Sequence, residues 1–189
     1  MFESQNLRLI AAGEDEFKII YEFFNDYDLI AGIRHCGSVV HPLTFEEFKK
    51  NNDNDCWTKF AVVLKKSGQI IGFAELTIEE VTRVAYPMTY LKKEERGNGY
   101  GTELSKLLTS IAFNEFNASK IRTLIFSFNV ASYKRYERLG WKLEGTLRNE
   151  VFRSGRYWDV LYYGLLRSEW EADIKQINIQ EDSLVNADS

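Results

Sequence analysis

A chain of 189 residues with 44% apolar and 14% aromatic side chains is long enough for one domain with a sizeable core, and too rich in core-forming residues to be disordered. It contains no run of about 18 or more uncharged apolar residues, so no membrane span is expected, and Met1–Asn6 lacks a basic stretch leading into an apolar one, so no secretory signal is expected. The net charge of −4 argues against a protein that coats nucleic acid, and Cys36 and Cys56, without metal-ligand spacing, are expected to be free thiols in a cytoplasmic protein that holds no metal.

In chain order, Leu7–Ala11 reads as a short strand. Phe17, Ile20, Tyr21 and Phe24 then fall at helical spacing on one face of a helix that starts near Glu14. Asn25–Asp28 is expected to end that helix, and Ala31–His41 has no clear period. Thr44 with Glu47 makes a capping box for a short helix Phe45–Asn51, followed by a polar connection Asn51–Asp55. Lys59–Leu64 and Gln69–Thr77 form a hairpin across Lys65–Gly68, and Val84–Leu91 is the next strand. Pro87 cannot donate to a ladder, so a bulge or an edge is expected there.

A third helix is marked by Leu104, Leu107, Leu108, Ile111, Ala112 and Phe116 on one face, ending near Asn117–Ser119. Ile121–Phe128 reads as a strand buried on both faces. Ala131–Leu139 is a helix stopped by Gly140. Trp141–Phe152 and Tyr157–Leu166 make a long hairpin turning at Arg153–Arg156, and residues beyond Trp170 are polar and expected to fray. The order β–α–α–β–β–β–α–β–α–β–β implies an α+β domain over 1–170, a twisted and mostly antiparallel sheet with helices on both faces, and an extension over 171–189.

Chemistry concentrates where the strand Val84–Leu91 gives way to a helix. Arg96-Gly97-Asn98-Gly99-Tyr100-Gly101 places three glycines at alternate positions at the helix start. Unpaired N–H groups and the helix dipole there suit a phosphate. The loop lacks the Gly-Lys-Ser/Thr ending of a Walker loop and the spacing of a dinucleotide fingerprint.

It does fit an Arg/Gln-x-x-Gly-x-Gly/Ala pattern, and so resembles the acyl-CoA loop of the GCN5-related N-acetyltransferases. Further on, Asn129-Val-Ala-Ser132-Tyr133-Lys134-Arg135-Tyr136-Glu137-Arg138-Leu139-Gly140-Trp141 is similar to that family's second signature, with tryptophan for the usual phenylalanine. The resemblance covers roughly Asn6 to Trp170, and the C-terminal residues Glu144–Arg148, Asp159 and Trp170 look most like the RimJ/RimL-type and spermidine acetyltransferase branch.

This resemblance implies acetyl-CoA held by the backbone N–H groups of Arg96, Gly97, Asn98, Gly99, Tyr100 and Gly101, with Thr102 also binding the cofactor. It implies a pantetheine arm in a gap between Val84–Leu91 and Ile121–Phe128, along Thr89, Tyr90 and Leu91, with Asn129 and Ser132 beside it. Tyr136 is the expected acid for the departing thiolate, since phenols ordinarily titrate near about 10. Glu75, a carboxylate inside an apolar strand, is the leading base candidate, ahead of Asp159, Glu150 and Tyr86. Lys134, Arg135 and Arg138 could meet the nucleotide 3′-phosphate, or simply form a solvated face.

The acceptor is expected to enter between Tyr27–Phe48 and Val151–Trp158, where acidic and aromatic residues suit a primary amine. A protein N-terminus ranks first, a polyamine second and an amino sugar third. The competing reading is an acyl-CoA sensor without turnover. The expected partners are acetyl-CoA and a primary amine, with a homodimer left open.

Overall fold

The computed structural model describes residues 1–24, 44–52 and 57–171. The expected turn Asn25–Asp28, the Ala31–His41 segment, most of the Tyr27–Phe48 acceptor segment, both cysteines and the tail after Glu171 lie outside these residues.

The strands are β1 (Phe2–Glu3), β2 (Leu7–Ala11), β3 (Trp57–Leu64), β4 (Gln69–Ile78), β5 (Val84–Leu91), β6 (Lys120–Phe126), β7 (Lys142–Arg153) and β8 (Arg156–Leu166). The helices are α1 (Glu14–Phe24), α2 (Phe45–Asn52), α3 (Tyr100–Asn114) and α4 (Val130–Arg138), with a 3-10 turn at Lys93–Glu95 and a short helical segment at 167–171. β1 went unseen in the sequence because two residues carry no period; it pairs with β2 and sets Phe2 edge-on against Phe60 at 5.9 Å. The capping box of α2 is present: Glu47 N–H donates to Thr44 Oγ1 at 3.2 Å and Thr44 N–H to Glu47 Oε2 at 2.9 Å.

The eight strands form one sheet in the order β1-β2-β3-β4-β5-β6-β8-β7, antiparallel throughout except for β5 with β6. Strand alternation divides the core in two. Ala74, Leu76, Ala85, Leu91, Ile121 and Ile125 pack with Leu104, Leu108, Ile111 and Ala112 of α3, and Tyr136 of α4 joins this side. Phe73 and Tyr90 point the other way, packing with Ile20 and Phe23 of α1 and Phe48 of α2.

Two expectations need correction. Pro87 makes no bulge: β4 and β5 stay in register from Gly72↔Leu91 to Ile78↔Ala85, with Leu76 opposite Pro87. The edge alternative is the one realised, because β5 meets β6 only at Val84↔Lys120 and Ala85↔Ile121, leaving Pro87 beyond the last pair. Nor is β6 buried on both faces. Ile121, Ile125 and Phe126 are buried, but Arg122 and Thr123 are half-buried and Leu124 is 39% exposed, because the gap opened by β5 uncovers them.

A close backbone approach between β4 and β5 lies beside that gap. A Cβ built on Gly72 would stand 2.0 Å from the carbonyl oxygen of Tyr90. Gly72→Ala is therefore expected to push β5 away from β4 and destabilise the fold by about 1–3 kcal/mol or more, read as a lower midpoint in denaturant unfolding; an unchanged midpoint would contradict this packing.

Candidate active site

Beyond Ala85 and Ile121 the strands β5 and β6 diverge, and the wedge between them opens into a cleft of about 1010 Å³. One wall is β5 from Tyr86 to Leu91 with Glu75 and Thr77 of β4. The other is β6 from Arg122 to Phe126, continued by Phe128, Asn129, Ala131 and Ser132. The glycine loop and the inner face of α4 close the end.

At the loop, Gly97 has φ of 85° and Gly99, the N-cap of α3, has φ of 84°. Both are left-handed conformations that a side chain resists. This geometry leaves the N–H groups of Gly97, Asn98, Gly99, Tyr100 and Gly101 without an acceptor among the described residues. Five consecutive donors at a helix start make an anion cradle. The expected cradle, Arg96 to Gly101, began one residue too early, and the Thr102 N–H beyond it is also engaged. Arg96 N–H is spent on Lys93 O at 3.3 Å inside the 3-10 turn, and Thr102 N–H on Gly99 O at 2.9 Å. The Arg96 side chain ties the loop to the strand, donating from Nε to Leu91 O at 3.0 Å and lying over the Tyr90 ring.

The helix start is held from behind. Glu103 accepts from Ser4 Oγ at 2.7 Å and from Asn6 N–H at 2.6 Å, pinning the first turn of α3 to the β1–β2 turn. Burial pushes this carboxyl up, but the hydrogen bonds from Ser4 and Asn6 outweigh it and hold the group below its ordinary value.

The other expected residues divide by role. Thr89, Tyr90, Leu91, Arg96, Gly97, Gly99, Gly101, Thr102, Asn129, Ser132, Tyr136 and Glu75 all line the cleft. Asn98 and Tyr100 do not: Asn98 folds back toward Glu95 O and Tyr100 packs against the α3 core, so each offers only its backbone. Leu91 offers less than expected, since its carbonyl already accepts from Arg96. Asn129 is the N-cap of α4, its Oδ1 accepting from Ser132 N–H at 3.2 Å. Of the three basic residues on α4, Lys134 pairs with Glu137 at 2.8 Å, while Arg135 and Arg138 line the cleft. Arg135 reaches across the loop, and a Cβ on Gly101 would meet its Nη1 at 2.7 Å.

Tyr136 is 3% exposed, with its ring 4.6 Å from that of Trp141, the aromatic closing the second signature. Its hydroxyl has no hydrogen-bond partner among the described residues, so its one polar atom is left to the cleft it lines. The pitch of α4 is fixed by Glu137, which accepts from Tyr163 Oη at 2.8 Å. Burial, then Glu137 itself, pushes the Tyr163 phenol up to about 12.

Glu75 stands across the sheet from Tyr136. Alternation along β4 sends Ala74 and Leu76 to the α3 side and Phe73 and Glu75 to the α1/α2 side. Glu75 is 6% exposed, and burial pushes its carboxyl up to about 7, only partly opposed by Lys59, its cross-strand neighbour. A carboxyl at this value can take and return a proton near neutrality. The lesser base candidates have other duties or positions. Asp159 accepts from Asn149 N–H at 2.9 Å, Tyr86 accepts from Arg122 Nη2 at 2.6 Å, and Glu150 is exposed on β7 away from the cleft. Reading 121–128 as a buried strand missed Arg122, Leu124, Phe126 and Phe128 as cleft residues. The charge at 122 inside that run was the available signal.

A wedge between parallel strands with an anion cradle at its mouth suits an extended, phosphate-bearing ligand such as acyl-CoA. The Acetyltransferase (GNAT) domain family matches residues 6–142. This chain therefore belongs to the GNAT family, the acetyl-CoA-dependent N-acetyltransferases.

Among relatives, the chain is 36% identical over 76 residues to the SPbeta prophage-derived N-acetyltransferase YokL of Bacillus subtilis, covering 40% of this chain and 43% of that protein. It is 30% identical over 107 residues to the putative ribosomal N-acetyltransferase YdaF of the same organism, covering 56% and 58%. The fold is shared with a crystal structure of spermidine N-acetyltransferase from Vibrio cholerae in complex with CoA and spermine, at TM-score 0.77 and 24% identity over 87% of this chain and 98% of that one.

Gly99 is the sharpest test of the cradle. A Cβ there meets nothing within 4 Å, so Gly99→Val acts through its left-handed φ and by covering the N–H groups. The expected result is CoA affinity lower by tenfold or more in calorimetry, with only about 1–2 kcal/mol lost from unfolding stability. Unchanged affinity in a folded variant would remove the cradle assignment.

Proposed function

We propose that the protein acetylates a primary amine directly, with both substrates bound together in the wedge. Acetyl-CoA supplies an activated acetyl thioester. The chain must hold its phosphates, lay its arm along an unpaired strand edge, take a proton from the acceptor ammonium and give one to the sulfur. The N–H groups of 97–101 serve the first task, with Arg135 and Arg138 beside them, and the β5 edge from Tyr86 to Leu91 the second. Glu75 accepts the proton on the α1/α2 face and Tyr136 donates one from the α3/α4 face.

The observation that carries this reading is the pairing of a buried carboxyl near 7 with an unpartnered phenol, both lining the same cleft. It favours an enzyme over an acyl-CoA sensor, which needs neither group. Among acceptors a protein N-terminus ranks first and a polyamine second, in keeping with the ribosomal and spermidine acetyltransferases among its likenesses, and an amino sugar third. A thiol-release screen against N-terminal peptides, polyamines, amino sugars and aminoglycosides tests the ranking. Turnover with sugars alone would overturn it, and tight CoA binding without turnover would favour the sensor.

A cytoplasmic location belongs to the same reading; no helix among the described residues is long and apolar enough to cross a membrane. So does a homodimer, for which β7 is the natural seam: it lies at the sheet edge and leaves Leu143 and Phe152 53% and 60% exposed. Sedimentation at micromolar concentration reads this directly.

Tyr136→Phe is expected to lower turnover by about 10²–10⁴ while leaving CoA affinity nearly unchanged, since only the proton donor is lost. An unchanged rate, with chemistry limiting, would return Tyr136 to a packing role.

Glu75→Gln separates activity from stability. In the wild type, kcat/KM should rise with pH through about 7 as the carboxyl ionises, and this limb should vanish in the variant. The stability effect has the opposite sign. A carboxyl raised from 4.5 to about 7 contributes stability that is present below about 4.5 and lost as pH rises through 7. Glu75→Gln should thus be more stable than wild type at pH values above that range, by roughly 1–3 kcal/mol, measured by denaturant unfolding. A retained limb or a destabilised variant at high pH would exclude Glu75 as the base.

A further inference from the structure

The acceptor face holds a second charged group that acid–base chemistry does not use. Ile121 and Ile125 of β6 face α3, so Arg122, Leu124 and Phe126 face the opposite side, with Glu75, Thr77, Tyr86 and Met88. Arg122 sits where β5 and β6 part, one residue beyond the last pair, Ala85↔Ile121. Its guanidinium is clamped between the rings of Tyr86, at 5.1 Å, and Tyr162, at 5.7 Å, and donates from Nη2 to Tyr86 Oη at 2.6 Å.

Among the described residues the guanidinium has no anion beside it. No carboxylate lies within ion-pair distance of it among the described residues, and its Nε is buried without an acceptor. The charge that opposes the burial of Glu75 is that of Lys59. The other cations near this face are engaged elsewhere: Lys59 lies over the Phe17 ring and Arg153 over the Phe128 ring. Keeping a guanidinium half out of water without a counter-charge is costly. Two tyrosines hold it in one place, and its donor fork matches a carboxylate.

We infer that Arg122 anchors a carboxylate of the acceptor, so that the substrate is a primary amine bearing a carboxylate in the same molecule, its ammonium toward Glu75. This rests on the acceptor-face reading above. It disfavours a polyamine, whose further ammonium groups would meet Arg122 with like charge. The carboxylate could belong to a small amino acid or to an acidic residue near the start of a peptide.

The test is calorimetric titration of the full chain saturated with CoA, using matched pairs: β-alanine against propylamine, and the dipeptide amides Gly-Asp against Gly-Asn. At least one acid should bind about tenfold or more tighter than its partner. The small pair responding points to an amino acid, the dipeptide pair to a peptide N-terminus. Arg122→Gln should erase the difference while leaving the affinity of the neutral member unchanged. Should that variant not fold, Arg122→Lys, which keeps the charge but loses the fork, should reduce the difference. Equal affinities in both pairs, a preference that survives in Arg122→Gln, or spermidine binding tighter than either acid would each overturn the inference. Thiol release with acetyl-CoA is recorded in parallel. A carboxylate preference without turnover would uphold Arg122 and count against the acid–base assignment instead.

Discussion

Everything distinctive in this domain follows from β5 and β6 joining through two residue pairs and then separating. A longer ladder would bury the β5 edge, close the wedge and leave Glu75 and Tyr136 on opposite sides of a continuous sheet. Two halves of the sheet, β1–β5 and β6–β8–β7, could drift apart at such a seam. They are held by α3, whose stripe Leu104, Leu108, Ile111 and Ala112 shares one core with Ala85 and Leu91 from the first half and Ile121 and Ile125 from the second. The same helix presents its N-terminus at the mouth of the wedge, so the element that bridges the seam also supplies the anion cradle. Anchoring of Glu103 by Ser4 and Asn6 ties that helix start back to the first strands, far from it in sequence.

Elements with a local signature were legible in the sequence. α3 and α4 have helical stripes, α2 has its capping box, and the β3–β4 and β7–β8 hairpins have turn residues, including the consecutive left-handed Ser154 and Gly155. The glycine loop was legible because left-handed backbone at 97 and 99 all but demands glycine. What failed was set by distant partners. Whether Pro87 meant a bulge or an edge depended on where β6 stops pairing, which no local pattern encodes. Whether Arg122 and Leu124 are buried depended on the width of a gap formed by another strand. β1 exists because Phe2 finds Phe60, some sixty residues away in sequence, and two residues alone announce nothing.

Glu75 shows how such a site sits in a stable fold. A carboxyl pushed to about 7 opposes folding once it ionises, so its neighbours must supply the compensation. On this face Phe73 and Tyr90 pack at 5.5 Å ring to ring, and Phe23 sits 5.6 Å from Tyr90. The aromatic cluster under α1 and α2 both stabilises the β4–β5 pair and excludes the water that would otherwise lower the carboxyl's value. The dry environment and the proton-transfer capacity have one cause.

This arrangement also explains why the cofactor was easier to read than the acceptor. The features that suit a phosphate and an extended arm are main chain: N–H groups at a helix start and an unpaired strand edge. Main-chain sites impose sharp demands on sequence, since glycines must stand where φ is positive and where backbone approaches closely, and those demands recur as a short motif. The proposed acceptor face is lined by single side chains on separate strands, Glu75 and Thr77 of β4, Tyr86 and Met88 of β5, and Arg122, Leu124 and Phe126 of β6. Each is an ordinary residue in an ordinary strand, and only the sheet brings them together.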